Sequence, residues 1–205
     1  MNSAPDQLPR PGEIHIWDVP LDTGCPPVLS ADEAQRASRI QFPEHRRRFA
    51  AGRTALRLIL AHYTGGAADA IRFEYNGFGK PFLSGATAPR FNASHSGERA
   101  LIAVANGREV GIDIERVKLT VDFRAITERF FPPEEAAQAG TAEDFFRVWT
   151  RREAYLKALG CGFAELQQPM RAGWTVQNLD AGEGWAAAVA AEGGGFTVSR
   201  WEFTT

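Results

Sequence analysis

Apolar residues recur along this chain with the spacing of two long helices. In the segment 43–63 they stand three or four positions apart, as on one face of an α-helix. The residues of that face are Phe49, Leu56, Ile59, Leu60 and Tyr63. The same spacing over 145–159 predicts a second long helix. Gly65 and Gly160 follow the two segments, and glycine is the residue that most often ends a helix.

Short extended runs lie around these helices. The β-branched and aromatic residues of 13–19 predict a strand, and so do those of 101–105. Asn106 and Gly107 follow directly, before a second run that continues to Ile114, and this pattern predicts a β-hairpin with a two-residue type I′ turn. Three later runs, separated by glycine-rich turns, predict antiparallel strands. They are 174–176, 185–190 and 196–203.

Two shorter helices complete the predicted elements. Ser30 and Glu33 have the spacing of a capping box, so a helix is expected to begin at Ser30. Apolar residues at helical spacing predict another short helix over 123–130, closed by the two prolines that follow. The polar residues of 134–144 indicate a mobile connection.

The order of these elements predicts an α+β fold. Each half of the chain is expected to hold one long helix packed on a small antiparallel sheet. We place the boundary at the Asn-Gly turn, which gives an N-terminal half of residues 1–106 and a C-terminal half of residues 107–205.

The composition limits the classes of function. The 205 residues, 44% hydrophobic and 23% charged, suit one large globular domain or two small ones. The formal net charge of −2 argues against a general nucleic-acid or membrane-surface binder, so any anion site has to be local. Cys25 and Cys161 lack metal-ligand spacing, and the sequence contains neither a signal segment nor a run of about 20 apolar residues. We therefore expect a cytoplasmic protein with no nucleic-acid or membrane partner.

Two acidic residues on the predicted hairpin are candidates for chemistry. Side chains alternate along a strand, so Asp113 and Glu115 project to the side opposite Ile112 and Ile114. Two carboxylates that share a small volume repel each other unless a cation or a proton lies between them. This favours a site for a hard, oxygen-preferring ion. A solvent-facing strand edge is the alternative, and the dipeptide pattern taken alone favours it.

The second long helix contributes an acid and a base. Glu153 and Lys157 lie one turn apart at the border of the apolar face, where side chains are partly desolvated but accessible. A surface ion pair is the alternative and would contribute only about 0.3–0.5 kcal/mol. Arg152 falls inside the apolar face. Because a buried guanidinium without a partner is costly, we expect an acidic or carbonyl group beside it.

Further polar side chains could bind anions. Lys80 lies in a predicted turn, 76–81. Ser94 and His95 lie just before a predicted strand and offer groups that bind phosphate oxygens. Arg48 ends a run of three arginines near the start of the first long helix, where the helix dipole also favours anions. Ordinary polar turns and a solvated basic turn are the alternatives.

Together these segments resemble one protein family. In order, they are Gly79-Lys80-Pro81, Asn92 with Ser94-His95-Ser96, Gly111-Ile112-Asp113-Ile114-Glu115, and Trp149 with Arg152-Glu153-Ala154-Tyr155-Leu156-Lys157. Their order and spacing are similar to those of the 4'-phosphopantetheinyl transferases, in particular the longer, single-chain, surfactin-synthetase-activating type. Each motif is modest, but the four in combination are specific.

The resemblance implies a fold, ligands and residue roles. The fold would be a pseudo-dimer of two similar halves, with coenzyme A and Mg²⁺, or alternatively Mn²⁺, in the cleft between them. The N-terminal half would contact the phosphates, and the C-terminal half would carry the metal ligands and the catalytic helix. The metal ligands would be Asp113, Glu115 and Glu153. The phosphate contacts would be Lys80, Ser94, His95, Lys157 and Arg48, with Arg53 as the alternative arginine.

The sequence departs from the family's pattern at two positions. Arg152 stands where the family commonly has lysine, which keeps the charge. Cys161 replaces a frequent lysine and removes a possible contact with the carrier or a phosphate.

The implied reaction is transfer of the 4'-phosphopantetheine group of coenzyme A to a serine of an apo acyl or peptidyl carrier protein, with release of adenosine 3',5'-bisphosphate. Glu153 would deprotonate the serine, directly or through water, and Lys157 would neutralise the leaving group. The carrier would dock transiently near 123–140, on a monomeric enzyme of secondary-metabolite biosynthesis. A metal-dependent phosphodiesterase and a non-catalytic coenzyme A-binding protein are the two alternatives.

Overall fold

The computed structural model describes residues 5, 7–22, 24–85, 87–120, 122–162 and 167–204. It shows helices packed on small sheets, which confirms the α+β class. The helices are α1 (Ala31–Ser38), α2 (Pro43–Thr64), α3 (Phe123–Phe130), α4 (Pro133–Ala136) and α5 (Ala142–Leu159), and a 3₁₀ turn spans Ala68–Ala70. The strands are β1 (Glu13–Pro20), β2 (Glu74–Tyr75), β3 (Pro81–Phe82), β4 (Arg90–Ser96), β5 (Arg99–Ala105), β6 (Val110–Arg116), β7 (Trp174–Leu179), β8 (Trp185–Glu192) and β9 (Thr197–Glu202).

The first large sheet has the strand order β4-β5-β1-β9. Strand β5 pairs antiparallel with both β1 and β4. Strand β9 pairs with β1 in parallel and places Trp201 beside Trp17. The prediction that the last strand pairs antiparallel is therefore wrong. Its direction depends on a partner at the other end of the chain, and the local alternation of residues carries no information about that partner.

Helix α2 covers one face of the first large sheet. Pro43 occupies its first turn, and Gly65 ends it with a left-handed φ of 68°, as the sequence predicts. Leu56, Ile59 and Leu60 are buried in the core that α2 shares with this sheet. Each such side chain contributes about 1.5–3 kcal/mol when it is fully buried, so this face holds the helix in place.

Helix α5 covers the second large sheet, which has the antiparallel order β6-β8-β7. Gly160 ends the helix with a left-handed φ of 67°, as predicted. Gly111 of β6 lies so close to the helix that a Cβ there would be 2.1 Å from the Ala154 carbonyl oxygen and 2.3 Å from the Ala158 nitrogen. The backbones of α5 and β6 are therefore in direct contact at this point.

The two large sheets pack face to face. Ile14, Ile16 and Leu101 of the first sheet share one buried core with Ile112 and Val189 of the second. The molecule thus has four layers in the order α2, first sheet, second sheet, α5.

The predicted hairpin between residues 101–105 and Ile114 is wrong. Strand β5 lies between β1 and β4, while β6 lies in the other sheet beside β8. Among the described residues only glycines have a positive φ, so Asn106 lacks the conformation that a type I′ turn requires. Because both edges of β5 are already paired, the chain crosses to the second sheet after Ala105.

The helices extend beyond the predicted segments in one region. The segment 134–144, predicted as a mobile connection, contains most of α4 and the first residues of α5. The Thr141 side chain accepts a hydrogen bond from the Asp144 amide, so α5 begins at Ala142 instead of residue 145. Throughout the described ranges, no helix has the length and apolar character needed to cross a membrane.

Candidate active site

Polar side chains of β4 join the two large sheets. Asn92, Ser94 and Ser96 alternate along this strand and face β6. The Asn92 Oδ1 accepts a hydrogen bond from the Ile112 amide at 2.9 Å, and the Ser96 Oγ accepts one from the Arg116 amide at 3.1 Å. These bonds form a polar seam that fixes β4 against the edge of β6.

Asp113 is the centre of a charged cluster at this seam. The Ser94 Oγ donates to its Oδ1 at 2.7 Å, and the Lys157 Nζ donates to the same oxygen at 2.5 Å. The Lys157 Nζ also donates to the Ser94 Oγ at 2.8 Å. Burial raises the pKa of Asp113 above its ordinary value of 3.8, although the ammonium and the hydroxyl act in the opposite direction. The ion pair therefore offsets only part of the desolvation cost.

Glu153 is a second buried carboxylate, one helical turn before Lys157. It is 8% exposed, and among the described residues its Oε1 has no hydrogen-bond partner. The pKa of Glu153 is raised from 4.5 to about 7. Burial is the main cause, and the charge of Asp113 acts in the same direction, while Lys157 opposes the change. The position at the border of the apolar face, as predicted, leaves this carboxylate desolvated.

Glu115 is the third acidic residue of the region. The Ser96 Oγ donates to its Oε2 at 2.8 Å, and burial is the main cause that raises its pKa above 4.5. Asp113 and Glu115 both bind hydroxyls of β4, while Ile112 and Ile114 lie in the core between the sheets. The alternation predicted from the sequence is therefore present.

The carboxylates meet some of the requirements of a site for a hard cation. In the ranges that the structure describes, no group of three or more His, Cys, Asp or Glu side chains has an arrangement that would hold a metal ion. The Oδ2 of Asp113 and the Oε1 of Glu153 are buried and unpaired within those same ranges. Buried carboxylate oxygens without a donor are suitable ligands for Mg²⁺. Lys157 offsets the charge of Asp113 in this structure.

An open cleft lies beside these carboxylates. Its larger part, a cavity of about 430 Å³, is lined by Glu153 and Lys157 of α5 and by Lys80 of the turn 76–81. A second cavity of about 200 Å³ continues toward α2. The two cavities share the lining residues Pro81, Asn92 and Ala93, so they form one continuous cleft.

The α2 end of the cleft contains the other predicted anion contacts. Its lining includes Arg48, Arg53, Ser94 and His95. The Arg48 guanidinium binds both carboxylate oxygens of Asp22, at 2.8 and 2.7 Å. Although the His95 side chain is exposed, partial desolvation lowers its pKa from 6.5, and the charge of Lys157 lowers it further.

Arg53 is held in the cleft by Glu33 of α1. The Glu33 carboxylate, 1% exposed, accepts hydrogen bonds at 2.6 Å from the Nε of Arg53 and the Nε of Arg57. The same residue forms the predicted capping box with Ser30, although the helix proper begins one residue later, at Ala31. One carboxylate between two guanidinium groups leaves a net positive charge beside the cleft.

Lys80 lines the cleft and also binds the end of α5. Its Nζ donates to the Ala158 carbonyl oxygen at 2.8 Å, the Glu109 Oε2 at 2.7 Å and the Val110 carbonyl oxygen at 3.3 Å. Desolvation lowers the pKa of Lys80 below 10.5, and Glu109 opposes this change. Lys80, predicted in a turn, is therefore part of the contact between that turn and the helix.

Arg152 has the partners that its position in the apolar face predicts. It is fully buried, with its Nε 3.0 Å from the Glu135 Oε2 and its Nη1 donating to the Gln168 carbonyl oxygen at 2.6 Å. The prediction of an acidic or carbonyl partner is thus confirmed. Glu135 links α5 to α4, and Gln168 links α5 to the segment before β7.

The sequence does not reveal the roles of two residues near the cleft. The spacing of Ser30 and Glu33 indicates a helix cap, but the second role of Glu33, as the anchor of Arg53, depends on how α1 packs against α2. Asn76 belongs to a turn-like segment, which gives no sign that its side chain binds the Gly160 carbonyl oxygen. Neither role leaves a periodic signal in the sequence.

Comparison with known proteins identifies the family. The model of the 4'-phosphopantetheinyl transferase superfamily matches residues 109–204, and that of the 4'-phosphopantetheinyl transferase N-terminal region matches residues 25–107. The 4'-phosphopantetheinyl transferase HetI of Nostoc sp. (strain PCC 7120) is 38% identical over 96% of this chain and 98% of its own length. The putative 4'-phosphopantetheinyl transferase slr0495 of Synechocystis sp. (strain PCC 6803) is 34% identical over 77% of this chain and 68% of its own length. The 4'-phosphopantetheinyl transferase psf-1 of Bacillus pumilus is 34% identical over 67% of this chain and 60% of its own length.

The chain belongs to the 4'-phosphopantetheinyl transferase superfamily, as the resemblance of its motifs implies. It is therefore an enzyme that transfers phosphopantetheinyl groups. The matched proteins give no support to the two alternatives, a phosphodiesterase and a non-catalytic coenzyme A-binding protein.

Proposed function

We propose that this enzyme transfers the 4'-phosphopantetheine group of coenzyme A to a serine of an apo acyl or peptidyl carrier protein and releases adenosine 3',5'-bisphosphate. The observation that carries the proposal is the position of two buried carboxylates, Asp113 and Glu153, beside Lys157 at a cleft lined by further cations. Coenzyme A contains a diphosphate and a ribose phosphate, so its site needs several positive charges. In a chain with a net charge of −2, that concentration of cations is a local feature.

A divalent cation, Mg²⁺ or Mn²⁺, would be held by Asp113 and Glu153, with Glu115 as the third acidic ligand. When bound, it would neutralise the diphosphate and stabilise the charge that develops during transfer. The buried oxygens of Asp113 and Glu153 support this assignment. Within the described structure they are shielded from solvent and accept no hydrogen bond.

Glu153 acts as the general base in this proposal. Its carboxylate is desolvated and lines the cleft, which makes it a better proton acceptor than an exposed carboxylate. It accepts the proton of the carrier serine. The serine oxygen then bonds to the phosphorus that bears the pantetheine arm, while the bond from that phosphorus to the bridging diphosphate oxygen breaks.

Lys157 neutralises the leaving group in this proposal. Its ammonium lines the cleft, where it can reach the bridging oxygen as negative charge develops there. The remaining phosphates would be contacted by the other cleft residues named from the sequence. These are Lys80, Ser94, His95 and Arg48, with Arg53 as the alternative arginine.

The organisation of the molecule belongs to the same proposal. Residues 1–106 and 107–205 would act as two similar halves of a pseudo-dimer of the surfactin-synthetase-activating type. The packing of α2 on one sheet and α5 on the other supports this division, with the exception of β9, which lies in the second half of the chain but pairs with β1 in the first sheet. The enzyme would work in the cytoplasm as a monomer, and the carrier protein would dock transiently near 123–140, beside the N-terminal part of α5.

The test is a mass measurement on the acceptor. Purified enzyme is incubated with apo carrier protein, coenzyme A and Mg²⁺, with and without a chelator, and the carrier is weighed by mass spectrometry. We expect the carrier to gain one phosphopantetheine group only without chelator, and added Mn²⁺ to restore the reaction. A carrier with its serine replaced by alanine is the matched control. Breakdown of coenzyme A with an unmodified carrier would instead indicate a phosphodiesterase.

A further inference from the structure

The turn that carries Lys80 also completes the last turn of α5. The Asn76 Nδ2 donates to the Gly160 carbonyl oxygen at 2.9 Å, and the Lys80 Nζ donates to the Ala158 carbonyl oxygen at 2.8 Å. The last carbonyl groups of a helix have no partner within the helix. Here a segment from much earlier in the chain supplies those partners, and the ammonium of Lys80 also complements the negative end of the helix dipole.

Asn76 organises its own turn with the same side chain. Its Oδ1 accepts hydrogen bonds from the amides of Phe78 at 3.0 Å and Lys80 at 2.9 Å. Its backbone amide donates to the Lys80 carbonyl oxygen at 3.1 Å. The amide oxygen therefore shapes the turn while the amide nitrogen binds α5. A side-chain amide offers both an acceptor and a donor, and a carboxylate does not.

The contact between the turn and the helix leaves no spare space. A Cβ on Gly160 would lie 2.7 Å from the Asn76 Nδ2 and 3.1 Å from the Lys80 Cδ. Lys157 lies in this last turn of α5 and lines the same cleft as Lys80. The position of the helix end relative to the turn thus sets the spacing of two cleft cations.

We infer that Asn76 is a positioning residue for the transfer reaction: it fixes the end of α5, and with it Glu153 and Lys157, relative to Lys80. Asn76 is absent from the described lining of the cleft, so it acts through these residues and not on the substrate. The measurements of kcat and KM rest on the proposed function.

Two substitutions separate the two roles of the Asn76 side chain. Asn76→Asp keeps the acceptor for the turn amides and removes the donor to Gly160. We expect it to lower kcat by about 10- to 100-fold with KM for coenzyme A within about twofold of wild type, because displacements of about 1 Å at catalytic groups cost this much. Asn76→Ala removes both roles, so we expect it also to raise KM, because Lys80 is no longer held in place.

Two controls separate positioning from a general loss of stability. Asn106→Ala removes an exposed amide from the connection between β5 and β6 and should leave kcat unchanged. Ile59→Val loosens the core beneath α2, away from the cleft, and should lower Tm without changing kcat.

Hydrogen exchange at the amides of the last turn of α5 gives a readout that does not involve the reaction. We expect faster exchange there in both Asn76 variants and in neither control.

Wild-type kcat in Asn76→Asp, or unchanged exchange at the end of α5, would overturn the inference. The inference would also be overturned if an Asn76 variant with the same Tm as Ile59→Val lost no more kcat than Ile59→Val does. If the wild-type enzyme does not modify any carrier, the proposed function fails separately, and the exchange measurement still decides whether Asn76 holds the helix end.

Discussion

The Lys157 Nζ lies 2.5 Å from the Asp113 Oδ1 and so connects α5 to β6 through an ion pair. The Asp113 side chain is 3% exposed and that of Lys157 is 30% exposed. The ammonium offsets the charge of a carboxylate that burial disfavours. It binds the Oδ1 atom, whereas the proposed divalent ion would bind the unpaired Oδ2 of the same carboxylate, and two cations beside one carboxylate repel each other. The lysine and the ion are therefore expected to compete for Asp113.

Lys157→Met tests this competition. Without coenzyme A, we expect the variant to bind Mn²⁺ at least about tenfold more tightly than the wild type, because a positive charge near the ion has been removed. Transfer to the carrier should nevertheless fall by about 100-fold or more, because the leaving group loses its cation. Electron paramagnetic resonance of free Mn²⁺ measures the first effect, and carrier mass measures the second.

Lys118→Met is the matched control for Lys157→Met. It removes the same charge from an exposed position near Glu115, and no ion pair is broken within the described structure. We expect both its Mn²⁺ affinity and its transfer rate to stay close to those of the wild type. Equal Mn²⁺ affinity of the Lys157 variant and the wild type would contradict the competition.

Glu153→Gln tests the proposed base. Glutamine keeps the size of the side chain but cannot accept the serine proton. In the absence of a divalent cation, we expect a Kd for coenzyme A close to that of the wild type. With the cation present, we expect a transfer rate lower by about 10²- to 10⁴-fold. Isothermal titration calorimetry and carrier mass measure the two quantities. Glu143→Gln, an exposed change on the same helix, is the control. Turnover at the wild-type rate would remove Glu153 as the base.

Gly111→Ala tests the contact between β6 and α5. The added Cβ would lie 2.1 Å from the Ala154 carbonyl oxygen, so the helix has to move. We expect a loss of about 1–3 kcal/mol in the free energy of unfolding. We also expect a reduced kcat, because Glu153 and Lys157 move with the helix. Gly195→Ala, where the added Cβ meets no atom within 4 Å, should change neither quantity. An unaltered kcat in Gly111→Ala would show that the site tolerates displacement of α5.

His15 is expected to make the stability depend on pH. Its Nδ1 lies 2.8 Å from the Tyr63 hydroxyl, and its Nε2 lies 3.6 Å from the Glu13 Oε2. Burial lowers the pKa of His15 below 6.5, and the charge of Glu13 opposes this change. The unfolded chain therefore takes up this proton at a higher pH than the folded one does. As the pH falls below 6.5 toward the folded-state pKa, the free energy of unfolding decreases.

Urea unfolding at about pH 7.5 and about pH 5.5 measures this effect on both sides of the ordinary pKa of histidine. The free energy of unfolding should fall more between these pH values in the wild type than in His15→Gln. His45→Gln, which removes an exposed imidazole, should behave like the wild type. If His15→Gln loses as much stability as the wild type, His15 does not cause the dependence.

Local sequence determines the ends of the long helices. Pro43, Gly65 and Gly160 act on the residues next to them, so α2 and the end of α5 are predicted correctly. The start of α5 is missed because Thr141 lies in a polar segment where the apolar pattern is weak. Its hydrogen bond to the Asp144 amide becomes apparent only in the structure.

The pairing of the strands could not be predicted in the same way. Asn106 and Gly107 form the strongest local hairpin signal in the chain, yet β5 and β6 lie in different sheets. Strand neighbours are chosen by the fit of whole sheets and helices, which local propensity does not encode.

The sequence predicts which residues form the candidate site, but not which of them contact one another. Alternation along β6 puts Asp113 and Glu115 on one side, and helical spacing puts Glu153 near Lys157. The bond between Lys157 and Asp113 depends on how closely α5 approaches β6, which the missing side chain of Gly111 permits. No pattern within either segment specifies that distance.

The parallel pairing of β9 with β1 has a consequence for synthesis of the protein. Strand β9 follows all the other described strands in the sequence, so the ribosome delivers it after them. Until then, the edge of β1 that faces β9 in the folded protein has no partner, although β5 can already pair on its other side. Nascent chains that end before residue 197 therefore present an open edge, at which foreign strands can add.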